Sequence, residues 1–200
     1  MIEKPHSAAC ERNREPILAV LRAHFAECKH ALEIGSGTGQ HAVYFAQALA
    51  QLIWQTSDRA ENLPGIRMWL AEARLPNTPP PIVFDVAAGA RPRTRYDAIF
   101  TANTLHIMSA PEVEKLFAVL PSITSAVATL AIYGPFNYQG KYTSASNADF
   151  DRSLQARAPH MGIRDFEWVD GLARTAGFRL LDDVAMPANN RCLVWRRAQE

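Results

Sequence analysis

The residues best placed to do chemistry in this 200-residue chain fall in one stretch, Leu32-Glu33-Ile34-Gly35-Ser36-Gly37-Thr38-Gly39. Glycines at Gly35, Gly37 and Gly39 let the backbone turn sharply and approach a ligand where any Cβ would intrude. Ala31 to Ile34 reads as the end of a short buried strand, and Gln40 to Ala50 reads as a helix. Strand, glycine turn and helix form a nucleotide-cradling unit, with the first helical amides aimed above the strand. A dinucleotide fingerprint, G-x-G-x-x-G/A, fails from Gly35, where the sixth position is Gln40, and fits from Gly37, where it is Ala42. Glu33 discriminates better, because an acid at the end of an otherwise apolar strand is costly to bury without a polar partner. A tight turn with no ligand is the plain alternative, but three glycines this close destabilise a turn that has no need of them.

Other candidates lie where later strands end. Asp58 stands about twenty residues past the glycines, where doubly wound folds place an acid on ribose hydroxyls; that role is preferred to the plain alternative, the N-cap of the next helix. Asp85, closing a third strand, is suited to accept from an adenine amino group or to sit in a loop. Asn103 and His106 leave the fourth strand, and Tyr133 ends the fifth. His106 is the best-placed general base, with a packing histidine as its alternative. Tyr133, Lys141, Asn189 and Asn190 are suited to orient an acceptor. Phe136, Tyr138 and Tyr142 form an aromatic loop broken by Gly140, able to wall and close a small, partly apolar acceptor site. For Asn189-Asn190 the alternative is a hairpin turn.

The elements that must position these residues follow from periodicity. Pro16 to Phe25 is helical, and the polar His6 to Asn13 reads as a tail in preference to a flap over the site. After the first crossover helix come a second strand (Leu52 to Gln55), a helix burying Leu63, Ile66, Leu70 and Ala73, and a stiff connector (Pro76 to Pro81). A third strand spans Ile82 to Phe84, and a fourth spans Tyr96 to Thr101. The Val86 to Arg95 link between them is too short for more than a vestigial helix. Ser109, Pro111 and Glu112 predict a capped helix start. Pro121 to Ser125 reads as a loop before the fifth strand, Ala126 to Tyr133. Helices follow at about Asn147 to Ala158 and at Phe166 to Ala173, the latter stopped by Gly177. Phe178 to Val184 and Cys192 to Arg196 then pair as a hairpin across Pro187 to Asn190. The expected fold is one α/β domain over residues 1–200, a doubly wound, seven-stranded, mostly parallel sheet with a C-terminal antiparallel hairpin. Ligands in such sheets bind outside the C-terminal strand ends, where Glu33, Gly35, Asp58, Asp85, Asn103 and His106 gather.

Composition narrows the partners. Hydrophobic residues make up 48% and charged ones 20%, and the formal net charge is +1. That balance argues against a nucleic-acid binder with a broad basic face; the one basic cluster, Arg91, Arg93 and Arg95, precedes a strand at the opposite edge and reads as a solvated loop. Met1 to Pro5 lacks the apolar core of a signal peptide, and no apolar run spans a membrane. Cys10, Cys28 and Cys192 have no metal-like spacing and read as reduced thiols in a cytoplasmic protein. No metal is expected, and the oligomeric state is left open.

Acid-x-Gly-x-Gly-x-Gly over Glu33 to Gly39 resembles the first motif of class I S-adenosylmethionine-dependent methyltransferases. The whole chain resembles the methyltransferase-like protein 26 family, which has that architecture. The matching stretches are Leu32 to His41, Ser57-Asp58, Ala102-Asn103 with His106-Ile107, Tyr133 to Phe136, Ser144 to Leu154, Gly162 to Asp165 and Met186 to Asn190. Pro121 to Ser125 departs from the Pro-Gly-Gly turn common in methyltransferases. The resemblance implies a Rossmann-like class I methyltransferase fold and S-adenosyl-L-methionine, a cationic amino acid, on the glycine turn. The expected activity is in-line methyl transfer to a small molecule. A non-catalytic S-adenosylmethionine-binding scaffold and an NAD(P)-dependent oxidoreductase, the latter resting on the Gly37-to-Ala42 match, are the competing functions.

Overall fold

The computed structural model describes residues 3–198; Met1 and Ile2, part of the leaderless N-terminus expected above, lie outside them. The chain begins with helix α1 (Ala8–His24), then β1 (His30–Ile34), α2 (Gln40–Ala48), β2 (Ile53–Asp58) and α3 (Leu63–Ala73). Next come β3 (Ile82–Val83), β4 (Tyr96–Ala102), α4 (Ala110–Ile123), β5 (Thr124–Gly134) and β6 (Phe136–Asn137). α5 (Ala145–Arg157), β7 (Arg164–Asp165), α6 (Phe166–Thr175), β8 (Arg179–Met186) and β9 (Asn190–Arg197) complete it.

The main sheet has seven strands in the order β3-β2-β1-β4-β5-β9-β8. The first five run parallel, and β9 is antiparallel to both β5 and β8. This is the doubly wound α/β arrangement expected from the sequence. Alternating side chains on each strand feed two cores. α1, α2 and α3 cover one face around Phe45, Trp54 and Phe100. α4 and α6 cover the other around Phe117, Phe178 and Trp195. The predicted cap of α4 forms in full: Glu112 N donates to Ser109 Oγ (3.4 Å), and Ser109 N donates to Glu112 Oε2 (2.7 Å).

Several expectations are corrected. The stretch His6 to Asn13 is no tail, because α1 begins at Ala8 and carries Pro16 in its interior. The only buried residue of α1 before Ile17 is the polar Asn13, so apolar periodicity misses this stretch. β2 closes on Thr56-Ser57-Asp58, the ending read from the sequence, whereas β3 stops at Val83, one residue short. Pro121 lies inside α4, and β5 follows at once from Thr124, so the expected loop does not exist. The two-stranded parallel pair β6–β7 has no counterpart in the expected topology; at two residues each, these strands are too short to show a period. The link between β3 and β4 agrees with the expectation that it is too short for more than a vestigial helix: it is a turn closed by Asp85 N donating to Ala90 O (3.1 Å).

Candidate functional site

The glycine turn between β1 and α2 is left-handed at each glycine, with φ of 69° at Gly35, 57° at Gly37 and 92° at Gly39. The three differ in what surrounds them. A Cβ on Gly35 would stand 2.8 Å from Thr104 Oγ1, and one on Gly39 would stand 3.2 Å from the Ile66 backbone. A Cβ on Gly37 would meet nothing within 4 Å. Gly35 and Gly39 therefore pack the turn against its neighbours, and Gly37 leaves an open approach to the backbone.

Asp58 braces this turn. Its Oδ2 accepts from Gly37 N (2.7 Å), and its Oδ1 accepts from Arg59 N (2.7 Å) and Asn62 Nδ2 (2.8 Å). A short 3-10 turn, Ala60–Asn62, separates it from α3, so Asp58 is not that helix's N-cap. Asp85 is bound into its own loop, where Oδ1 accepts from Ala87 N (2.9 Å) and Ala88 N (3.3 Å).

Glu33 lies beneath the turn at 2% exposure. Trp54 Nε1 donates to its Oε2 at 3.1 Å. Burial pushes its carboxyl up to about 7; the Trp54 and Ser36 hydrogen bonds oppose this, and the charge of Asp58 adds to it. Neither hydrogen-bond partner carries a charge, so among the described residues this buried acid has no counterion of its own.

The residues that sequence reasoning missed come from α1 and the start of α2. Ser7 N donates to Gln40 Oε1 (2.5 Å), and Gln40 Nε2 donates to Glu11 Oε1 (2.9 Å). His41 Nε2 lies 2.7 Å from Asn13 Oδ1, within hydrogen-bond distance. Burial holds the His41 imidazole down at about 4, and it is neutral. Tyr133 faces Asn13 from β5, and burial raises the pKa of its phenol.

At the ends of β4 and β5, Asn103 adopts φ 56° and donates its N–H to Tyr133 O (2.8 Å). A Cβ on Gly134 would stand 3.9 Å from both Asn103 Oδ1 and His106 Nδ1, which places the three together. The His106 ring meets Phe150 of α5 edge-on at 5.3 Å, and its carbonyl accepts from Gly162 N (2.9 Å). Arg164 ties this loop to the 158–163 loop by donating to Leu105 O (3.2 Å) and Met108 O in the first and His160 O (2.9 Å) in the second. Burial, reinforced by Arg164 and Arg157, pushes the His106 imidazole down to about 4. Phe150 and Ile107 form an exposed apolar lip beside it.

The expected acceptor wall is largely spoken for. Phe136 is a core side chain on the α4–α6 face, and so is no part of a pocket wall. Tyr138 stacks on Phe166 (5.2 Å) and donates its hydroxyl to Asp183 Oδ2 (2.8 Å). Tyr142 donates to Asp151 Oδ2 (2.8 Å). Gln139 and Gly140 are both left-handed, at φ 53° and 70°, in a tight turn that pairs Tyr138 with exposed Lys141. Asn189 (φ 57°) donates from Nδ2 to Ser146 Oγ (3.2 Å), and Asn190 Nδ2 donates to Pro187 O (3.1 Å). Both asparagines therefore shape the β8–β9 turn.

Solved structures with this fold include an O-methyltransferase family protein from Burkholderia thailandensis, at 18% identity and a TM-score of 0.79. Mitomycin 7-O-methyltransferase MmcR is similar at 16% identity and a TM-score of 0.83, and PigF, solved with SAH, at 16% and 0.77. The alignments cover 96%, 96% and 92% of this chain but only 58%, 55% and 61% of those proteins. The chain thus spans little more than half of each neighbour, and at these identities the likeness concerns the fold. Residues 4–197 match the family described as "Protein of unknown function (DUF938)", and the chain belongs to that family.

Proposed function

We propose that this protein is an S-adenosylmethionine-dependent methyltransferase acting on a small molecule, in keeping with its resemblance to the methyltransferase-like protein 26 family. The observation that carries this reading is an uncompensated buried carboxyl, Glu33, beneath a left-handed glycine turn that is open at Gly37. A pyrophosphate would bring more negative charge towards Glu33 and Asp58, whereas a cationic ligand supplies the missing counterion. S-adenosylmethionine, when bound, supplies an electrophilic methyl group on a sulfonium. Glu33, Gly35, Gly37, Gly39 and Asp58 would hold it, with Asp85 and Asn103 at the flanking strand ends. The fold neighbours that are O-methyltransferases support the same ligand.

Methyl transfer depends mainly on placement, with acceptor and methyl carbon about 3–3.5 Å apart. Asn103, His106, Phe150 and Ile107 offer an acceptor a polar floor and an apolar lip. His106 is neutral at physiological pH and accepts a hydrogen bond or proton from the acceptor, while Tyr133 stays protonated beneath α1. With its pKa near 4, His106 is a weak base and serves chiefly to orient an acceptor hydroxyl. Lys141, Asn189 and Asn190 remain at the periphery. The three free thiols support a reducing, cytoplasmic setting. Among the described residues no helix is long and apolar enough to cross a membrane.

The test is a thermal-shift panel of S-adenosylmethionine, S-adenosylhomocysteine and NAD(P), followed by radiolabelled-methyl transfer into fractionated cell extract. Stabilisation by the first two, and label in a small-molecule fraction, is expected. Binding without transfer to any fraction means a scaffold; stabilisation by NAD(P) alone sinks the assignment. Gly37→Asn, which keeps a left-handed backbone and fills the open space, is expected to abolish binding without unfolding the domain.

A further inference from the structure

We infer that residues 4–13 are a built part of the ligand site, a strap seated beside the glycine turn that tightens on the bound cofactor. This rests on the cofactor reading above and extends it to a segment outside the α/β core.

The seats of the strap are specific. At its outer end Pro5 occupies the space beside Gly65 of α3, where a Cβ would stand 2.6 Å from Pro5 Cγ. Glycine is a poor helix former, and here it makes room for the strap. Trp69, one turn further along α3, donates its indole N–H to Pro5 O (2.7 Å) and carries Lys4 Nζ over its ring at 3.9 Å. At the inner end Gln40 Oε1 accepts from Ser7 N (2.5 Å) and from Thr38 Oγ1 (3.1 Å). One amide oxygen thus joins the strap to a residue of the glycine turn. The Cys10 thiol lies 4.0 Å from His41 Nδ1, at the start of α2.

Two features make this a movable part. Residues 4–7 belong to no helix or strand, so their hold depends on a few side-chain seats. Breaking those seats leaves every strand pairing of the sheet intact. A ligand that orders Gly37 and Thr38 also orders Gln40, and through it Ser7 and the first turn of α1. Cys10 is the natural reporter, because it is half-buried in the strap while Cys28 and Cys192 are buried elsewhere.

The experiment uses the full-length protein and S-adenosylhomocysteine as probe. It measures the rate of Cys10 labelling by a small thiol reagent and hydrogen exchange of amides 7–13, with and without the probe. Saturating probe is expected to slow both at least about tenfold in the wild type. Gly65→Ala, which displaces Pro5 but touches nothing in the turn, is expected to speed labelling and weaken probe binding about tenfold, with the melting temperature nearly unchanged. Gln40→Ala is expected to do the same from the inner end. Tight probe binding by the wild type with both rates unchanged overturns the strap and leaves the cofactor reading standing. So does a variant with fast labelling and wild-type affinity. If the wild type fails to bind the probe by calorimetry, the cofactor reading fails, and the strap's ligand fails with it.

Discussion

Glu33 is an acid set amid Leu32, Ile34 and three glycines, a place where a carboxyl must be either satisfied or functional. In the folded chain its hydrogen-bond partners are uncharged. Because burial raises its pKa from 4.5 to about 7, the folded state binds a proton that the unfolded state has released between those values. Its contribution is therefore fully present below about pH 4.5 and is lost as pH rises through about 7. His41 and His106, both held down at about 4, act with the opposite sign between that value and their ordinary 6.5. The wild-type profile alone is thus a mixture, and a difference measurement isolates Glu33. Glu33→Gln keeps an acceptor for Trp54 and removes the titration. Its stability gain over the wild type, from urea titrations of the unliganded protein, is expected to be smallest near pH 4.5. It should then grow to roughly 3 kcal/mol above about pH 7, at about 1.36 kcal/mol per pKa unit; a gain independent of pH would contradict the buried-acid account. Asp58 makes a second case. With three donors already on its carboxylate it retains limited room for ribose hydroxyls, and each charge-assisted bond contributes about 1.5–3 kcal/mol. Asp58→Ala is expected to weaken S-adenosylhomocysteine binding at least about tenfold by calorimetry, and unchanged affinity would leave Asp58 a brace of the glycine turn alone. Such residues were readable because strand ends point at one edge. Asn13, Gln40 and His41 were not, since their meaning lies in contacts made across 28 to 33 residues of chain.

At the scale of elements, the period of apolar residues revealed the order of strands and helices, and the failures share a cause. The first two turns of α1 are tied to α2 by polar side chains, half-buried Glu11 on Gln40 and buried Asn13 on His41, so they look like a tail. Proline signals misled at Pro121, which the helix tolerates in its last turn. The stretch Ser144 to Leu154, one of those that carry the family resemblance, is a structural bracket. Ser144 caps α5 by accepting from Asn147 N (3.1 Å), and Asn147 Nδ2 reaches across to Asn189 O (3.1 Å). Buried Asp151 accepts from Ile163 N (2.6 Å), Tyr142 Oη (2.8 Å) and Gln155 Nε2 (2.8 Å). This bracket holds the 158–163 loop, whose Gly162 N in turn holds the His106 carbonyl. Asp151→Ala strands the buried Ile163 amide and is expected to cost about 2–4 kcal/mol in urea unfolding. Cofactor affinity should stay near that of the wild type, because the bracket lies on the side proposed for the acceptor, away from the glycine turn. A cost below about 0.5 kcal/mol, the surface range, would mean that α5 is held by Leu154 and its apolar neighbours.

Across the whole molecule, the two ends of the chain meet in one core. Ile17 and Leu21 of α1 join Cys192 and Val194 of β9 on one face of the sheet. β9 lies inside the sheet between β5 and β8, so the last strand in sequence is an interior strand in space. Losing it would expose the length of β5, and losing α1 would uncover the face that carries Trp54. Neither end can melt alone without exposing apolar surface at about 25 cal/mol for each Å². The chain exceeds the roughly 150 residues below which all-or-none unfolding is usual, but this topology leaves no seam at which to divide it. Residues 3–198 are therefore expected to unfold in a single urea transition. Far-UV circular dichroism follows the backbone, and fluorescence of the four tryptophans includes buried Trp54 on one face and buried Trp195 on the other; the two curves should coincide. S-adenosylhomocysteine at about a hundred times its dissociation constant should move the transition by about 2.7 kcal/mol, with the slope unchanged because the surface exposed is the same. Curves that separate, with the signal of β8 and β9 lost first, would show that the C-terminal hairpin is a unit of its own and not part of the sheet's cooperative core.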